Sequence, residues 1–244
     1  FGAAGMVTLG IASALGDFLL SFADYTALFA TASALSGLGL LLTWPLIDVG
    51  TRNRSAARPS LWTTAKQRDL LPIWLASFAF FFAMSGLLTF LKTFVLRSGH
   101  GSIVTFFSVY TLAALLLRVV FGSMPDRVGP ARMVAPAMLA YAAGAYLLSI
   151  TTSNPSFVLA GVLCGIGHGY AFPVFLSLTV TRARPEVRGS ATALYTVVDW
   201  AGNVIAPPLL GVVIERFGYG AAFGTVASTI SVGVACFYVF DRVR

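Results

Sequence analysis

The feature that most constrains this chain is a succession of apolar stretches, each about 20 residues long. Eight are legible, at about 2–21, 25–47, 70–92, 102–121, 132–151, 155–180, 189–213 and 219–240. Wound as a helix, such a stretch crosses roughly 30 Å of hydrocarbon. Lipid offers no partner for backbone N–H and C=O groups, so only helices and closed barrels can span it. A barrel strand would alternate in polarity over about 10 residues, whereas these runs are apolar on most faces. Composition closes the soluble alternative: only 10% of residues are charged, against about 25% in soluble domains. The mean hydropathy is +0.85. We therefore expect an all-α membrane protein, a polytopic helical bundle of about eight transmembrane helices.

The net charge of +7 would suit a nucleic-acid partner, but its distribution excludes one. Loops alternate in charge along the chain. Twelve bases fall on one side: Arg52, Arg54, Arg58, Lys66 and Arg68, then Arg127 and Arg132, then Arg182, Arg184 and Arg188, then Arg242 and Arg244. The other side carries Lys92, Arg97 and Arg216. The positive-inside rule makes the rich side cytoplasmic. Both ends of the chain are then expected in the cytoplasm of a multi-pass protein of the cell (plasma or inner) membrane. Cys164 and Cys236 lie inside spans and read as packing residues.

The stretch 48–69 is basic and polar, and is the natural boundary. It separates two helices (1–47) from six (70–244) and reads as a cytoplasmic central linker. Tyr25, Ala27, Phe29 and Thr31 match Tyr219, Ala221, Phe223 and Thr225 at one constant offset. With a six-span repeat unit, 70–244 is one whole unit and 1–47 is the end of another. The chain opens at Phe1 directly into a span, so we expect four further helices of the same protein upstream.

Between two spans lies Gly122-Ser-Met-Pro-Asp-Arg-Val-Gly129, with Arg118 one turn before it. Asp126 can accept from Arg118, Arg127 or Arg188, or face a helix N-terminus; the bland alternative is a cap and membrane anchor. Arg118, embedded in Leu115–Phe121, is costly at depth unless paired or snorkelled; a link to Asp126 is the favoured reading. The pattern Gly122-x-x-x-Asp126-Arg127-x-Gly129 resembles the signature loop of the major facilitator superfamily. Pro130 and Ala131 stand where that pattern continues with bases. A second stretch is similar to the tenth to twelfth spans of drug- and sugar-efflux members. It runs Gly165-Ile-Gly-His-Gly-Tyr-Ala-Phe-Pro173, Arg182-Ala-Arg-Pro-Glu-Val-Arg-Gly189, Asp199-Trp-Ala-Gly-Asn203, Pro207-Pro208, Gly211 and Phe217-Gly-Tyr219. The resemblance implies one six-helix half plus the last two helices of the other, with substrate bound near mid-membrane between halves. It also implies that Arg118, Gly122, Asp126, Arg127, Gly129 and Arg188 form a cytoplasmic gate.

Asp199 lies near mid-membrane, where a carboxylate costs roughly 2.5–3.5 kcal/mol. Tyr195, Asp199 and Asn203 recur every four residues and share one helix face, and Pro207-Pro208 is expected to break that helix just beyond. Such an acid holds a proton when dry and releases it when wet, the chemistry of proton coupling; an acid paired for packing is the alternative. His168 sits within Gly165-x-Gly-x-Gly169, where the glycines permit close helix packing. It either binds substrate or a proton or is simply packed and hydrogen-bonded. Ser85, Thr89 and Tyr110, with Phe78 and Phe82, suit a cavity for a partly apolar solute; an aromatic stripe facing lipid or core is the rival reading.

No phosphate loop, nucleophile triad or metal-ligand cluster is legible, so neither an enzyme, a cofactor nor a metal site is expected. The reading is a secondary active transporter for a small-molecule substrate, coupled to protons and exporting a drug- or sugar-like solute. Its rivals are an uptake symporter for a sugar or organic acid, and a non-transporting receptor or scaffold. An anionic substrate would call for a deep cation, which the sequence does not display.

Overall fold

The computed structural model describes residues 15–16, 18–44, 61–99 and 101–242. Most of the first expected span, the linker bases Arg52, Arg54 and Arg58, and Arg244 lie outside the described residues. The chain divides into two compact units, Phe1–Arg58 and Pro59–Arg244.

In the first unit, α1 spans Tyr25–Thr43. The Asp24 carboxylate caps it by accepting from the Ala27 amide at 2.9 Å. That amide holds the Asp24 carboxyl below its ordinary range. None of the α1 residues is buried, as expected of a helix built to face lipid and other helices.

The second unit contains α2 (Leu61–Ala65), α3 (Leu71–Ser98), α4 (Ile103–Phe121), α5 (Met124–Val128), α6 (Pro130–Ser149), α7 (Asn154–Arg182) and α8 (Arg188–Arg242). The sequence dictates several of these ends. Prolines occupy the first turns of α3, α6 and α7, where a missing N–H costs nothing. Gly99 closes α3 in the left-handed region at φ 69°, and Ser102 caps α4 by accepting from the Thr105 amide. Six of the described helices are long and apolar enough to cross a membrane. The last, α8, bends at Gly218 (φ 83°, ψ 175°) into two arms, 188–217 and 219–242. Seven expected spans are therefore present among the described residues.

Packing follows the alternation of chain direction. Close contacts of Gly161, Gly165 and Gly169 with Val109, Tyr110 and Ala114 run α7 parallel to α4. Contacts of Gly202 with Phe82 and of Gly86 with Leu210 run the first arm of α8 parallel to α3. Gly144 meets Cys164 and Gly167 meets Tyr141, so α6 is antiparallel to α7. The core between them is aromatic: Phe80, Phe81, Tyr141 and Phe175 are almost fully buried. Phe80 packs edge-on to Tyr141 at 5.3 Å. The repeat residues also behave alike. Tyr25 opens α1 and Tyr219 opens the second arm of α8. Thr31 bonds back to the Ala27 carbonyl and Thr225 to the Ala221 carbonyl, each at 2.8 Å.

One expectation fails here. Pro207-Pro208 does not break α8; the first arm runs straight through both. The bend comes ten residues later, where the backbone enters a region essentially reserved for glycine. Gly218→Ala is accordingly expected to cost about 1–3 kcal/mol through backbone strain alone, since nothing lies within 4 Å of its Cβ position. The check is thermal unfolding of the purified protein beside Gly224→Ala, a helical site with equally open space, where no loss is expected.

Candidate functional site

Two polar constellations interrupt the apolar interior of the second unit, and both are organised by proline. In a helix the carbonyl of residue i accepts from the amide of residue i+4; a proline there supplies no donor. Pro207 thus releases the Asn203 carbonyl. Ser85, buried on α3, donates its hydroxyl to that carbonyl at 3.0 Å. The Asn203 side-chain amide turns back along α8 and donates to the Asp199 carboxylate (2.5 Å) and to the Asp199 carbonyl (2.9 Å). Tyr195, one turn earlier, is buried against Phe81 and Phe172 and donates to the Phe172 carbonyl at 3.3 Å. The approach depends on Gly202: a Cβ there would lie 2.7 Å from the Phe82 amide nitrogen. Ser85, Tyr195, Asp199 and Asn203 are therefore brought together, and Asp199 stays half-buried, open on one side.

The second constellation lies between α4 and α7. Tyr110, buried on α4, shares a hydrogen bond with Nδ1 of His168 on α7, and Phe80 packs against the imidazole. Pro173 releases the Gly169 carbonyl, which receives the Arg118 Nε–H at 2.9 Å. The Phe121 carbonyl, left free at the C-terminal end of α4, accepts from the Tyr170 hydroxyl at 2.7 Å. Arg118 thus points inward along α4, as helical side chains do when they lean toward the N-terminus, and not down to the loop. The favoured link to Asp126 is absent. Among the described residues Asp126 makes no ion pair, and Asp126, Arg127 and Arg188 are all exposed. Gly122 continues the helical backbone, whereas Gly129 adopts φ 97° and turns the chain into α6. Thr89 is exposed on α3, apart from the Asp199 group.

Sequence reasoning passed over Asp241. It pairs with Arg182 at 2.7 Å, and the Gln67 amide donates to the Arg182 carbonyl at 2.8 Å. These contacts tie the end of α7, the end of α8 and the segment before α3 into one knot. By the chain directions above, that end also carries Lys66, Arg68, Arg127, Arg132 and Arg184. Among the described residues no group of three or more His, Cys, Asp or Glu is placed to hold a metal ion.

Residues 100–244 match the sequence profile of the Major Facilitator Superfamily. The chain belongs to that superfamily. Relatives of this major facilitator chain include the uncharacterized transporter YybO of Bacillus subtilis, 29% identical over 120 residues, covering 49% of this chain and 28% of YybO. The probable sulfoacetate transporter SauU of Cupriavidus necator is 28% identical over 139 residues, covering 55% of this chain and 31% of SauU. The crystal structure of the human organic anion transporter MFSD10 (TETRAN) superposes with a TM-score of 0.62 at 18% identity. It covers 69% of this chain and 40% of that one, a likeness of fold. The chain thus spans about a third of the length of the curated relatives it matches. Its all-helical fold, multi-pass character and superfamily agree with the expectations above.

Proposed function

We propose that the protein carrying this chain is a secondary active transporter. It moves a small organic solute across the cell membrane by alternating access and couples that movement to protons at Asp199. The observation that carries this reading is a half-buried carboxylate inside a membrane-length helix, held by Asn203 and, through it, by Ser85. An acid at that depth is costly and faces a water-filled path or a functional partner. Protonation as the cavity dries, and release as it wets, would tie proton movement to the conformational cycle. Membership of a transporter superfamily supports the same reading, and SauU supports a small organic solute as substrate class. Efflux is the direction that the resemblance to drug- and sugar-efflux members implies. The base-rich helix ends face the cytoplasm, with Asp126, Arg127 and Arg188 forming gate contacts in another state of the cycle.

A second reading, uptake of an organic acid, is favoured by one observation: the inward-turned guanidinium of Arg118 supplies the deep cation such a substrate needs.

The test is substrate-induced pH change in proteoliposomes holding the complete protein, screened with drugs, sugars and organic acids. A solute-dependent proton flux is expected, its sign giving the direction. Binding without flux in folded protein would overturn transport in favour of a receptor or scaffold.

A further inference from the structure

Arg118 spends only part of its hydrogen-bonding capacity. A guanidinium offers five N–H donors in a planar fork. Its Nε–H is taken by the Gly169 carbonyl. Its Nη1 is buried with no hydrogen-bond partner. No acid among the described residues pairs with it. A half-buried cation among apolar side chains, with no counter-charge beside it, is a costly arrangement. Anchoring on Gly169 fixes the side chain, because Pro173 leaves that carbonyl with no backbone donor. The guanidinium is therefore held in place from one side, with donors still unspent. The residue before Gly169 on α7 is His168, joined to Tyr110. Ala114, beside Gly169, stands one turn from both Tyr110 and Arg118. The neighbours are otherwise aromatic and aliphatic: Phe80 packs on the His168 ring, and Leu117 lies beside Gly169.

We infer that Arg118 receives the carboxylate or sulfonate of the transported solute, with the Tyr110–His168 pair and its aromatic surround against the solute's apolar body. This rests on the transporter reading and narrows its substrate to organic anions. A fixed guanidinium edge matches a planar carboxylate in two parallel bonds. It discriminates against a neutral amide of the same shape, which leaves the charge uncompensated. The geometry thus supplies selectivity where the described interior of this unit holds an arginine with no acid paired to it.

The test compares acid and amide pairs, nicotinate with nicotinamide and benzoate with benzamide, binding to the complete purified protein at pH 7 by calorimetry. The wild type is expected to bind the carboxylates about tenfold tighter or more. Arg118→Gln keeps a donor for Gly169 but removes the charge. It is expected to abolish the preference by weakening the acids at least about tenfold more than the amides. Arg118→Lys, which keeps the charge without the fork, covers the case in which the glutamine variant fails to fold. It is expected to retain an intermediate preference. Equal affinity for acid and amide in the wild type, or a preference that survives Arg118→Gln, overturns the assignment. It would then give the arginine's counter-charge to the protein itself. Proteoliposome flux separates this from the parent reading. Flux of neutral solutes alone leaves transport standing and sinks the anion site. Acid preference without any flux keeps the site and sinks transport.

Discussion

Gly165→Val is expected to remove most of the folded protein. A Cβ at Gly165 would sit 2.2 Å from the Tyr110 carbonyl oxygen and 2.9 Å from the Tyr110 Cα. These are backbone atoms of a neighbouring helix, so no rotamer change relieves the clash; α4 and α7 must separate. Gly161 and Gly169 lie one turn to either side on the same seam, with Val109 and Ala114 at 2.8 and 3.2 Å from their Cβ positions. Separation therefore runs the length of the contact. It breaks the Tyr110–His168 bond and strips Arg118 from the Gly169 carbonyl and Tyr170 from the Phe121 carbonyl. Those carbonyls have no backbone donor to fall back on. Overpacking costs about 1–3 kcal/mol, and each orphaned carbonyl adds several more in a lipid-facing bundle. The monodisperse fraction in fluorescence-detected size exclusion should fall about tenfold or more, since each 1.4 kcal/mol is a factor of ten. Gly224→Ala should match the wild type. A monodisperse Gly165→Val with unchanged thermal stability would show that the seam is loose.

The same seam marks what the sequence displays and what it hides. Gly165-x-Gly-x-Gly169 is legible as a packing motif because small residues inside a span serve few other purposes, and its alternate glycines do face two helices. Gly165 meets α4 and Gly167 meets α6. Helix existence was equally legible, since length and hydropathy alone decide it. The direction of Arg118 was not. Sequence distance placed it near Asp126, but helical side chains lean toward the N-terminus, and the acceptor that holds it lies 51 residues away. A usable signal did exist: each proline inside a span announces a free carbonyl four residues earlier. Pro173 and Pro207 name Gly169 and Asn203 in advance as acceptors. What sequence cannot supply is which donor falls opposite, because that depends on inter-helix register. The same compensation acts where Pro207 sits inside the unbroken α8. The lost ladder bond at Asn203 is replaced from Ser85, so the helix keeps its satisfaction at the position where a free carbonyl would otherwise invite a break.

On the proposed proton-coupled reading, Asp199→Asn should abolish proton-driven solute movement while leaving the fold intact. The side chains are nearly isosteric. Asn203 donates to the Asp199 carboxylate at 2.5 Å, and an asparagine oxygen can accept the same bond. The Ser85–Asn203 link does not involve the substituted atoms. What disappears is the ability to carry a proton. If Asp199 is the coupling group, solute-dependent pH change in proteoliposomes should fall about a hundredfold or more, as when a proton-transfer group is removed from an active site. Solute exchange across a membrane with no pH gradient should continue, because rocking of the loaded protein needs no proton turnover. That pairing of results separates coupling from binding. Loss of exchange together with proton flux would make the carboxylate a substrate contact instead. Proton-driven flux that survives the substitution would exclude Asp199 from coupling. His168, whose Nδ1 is bonded to Tyr110 and which lies on a different pair of helices, would then be the next group to substitute.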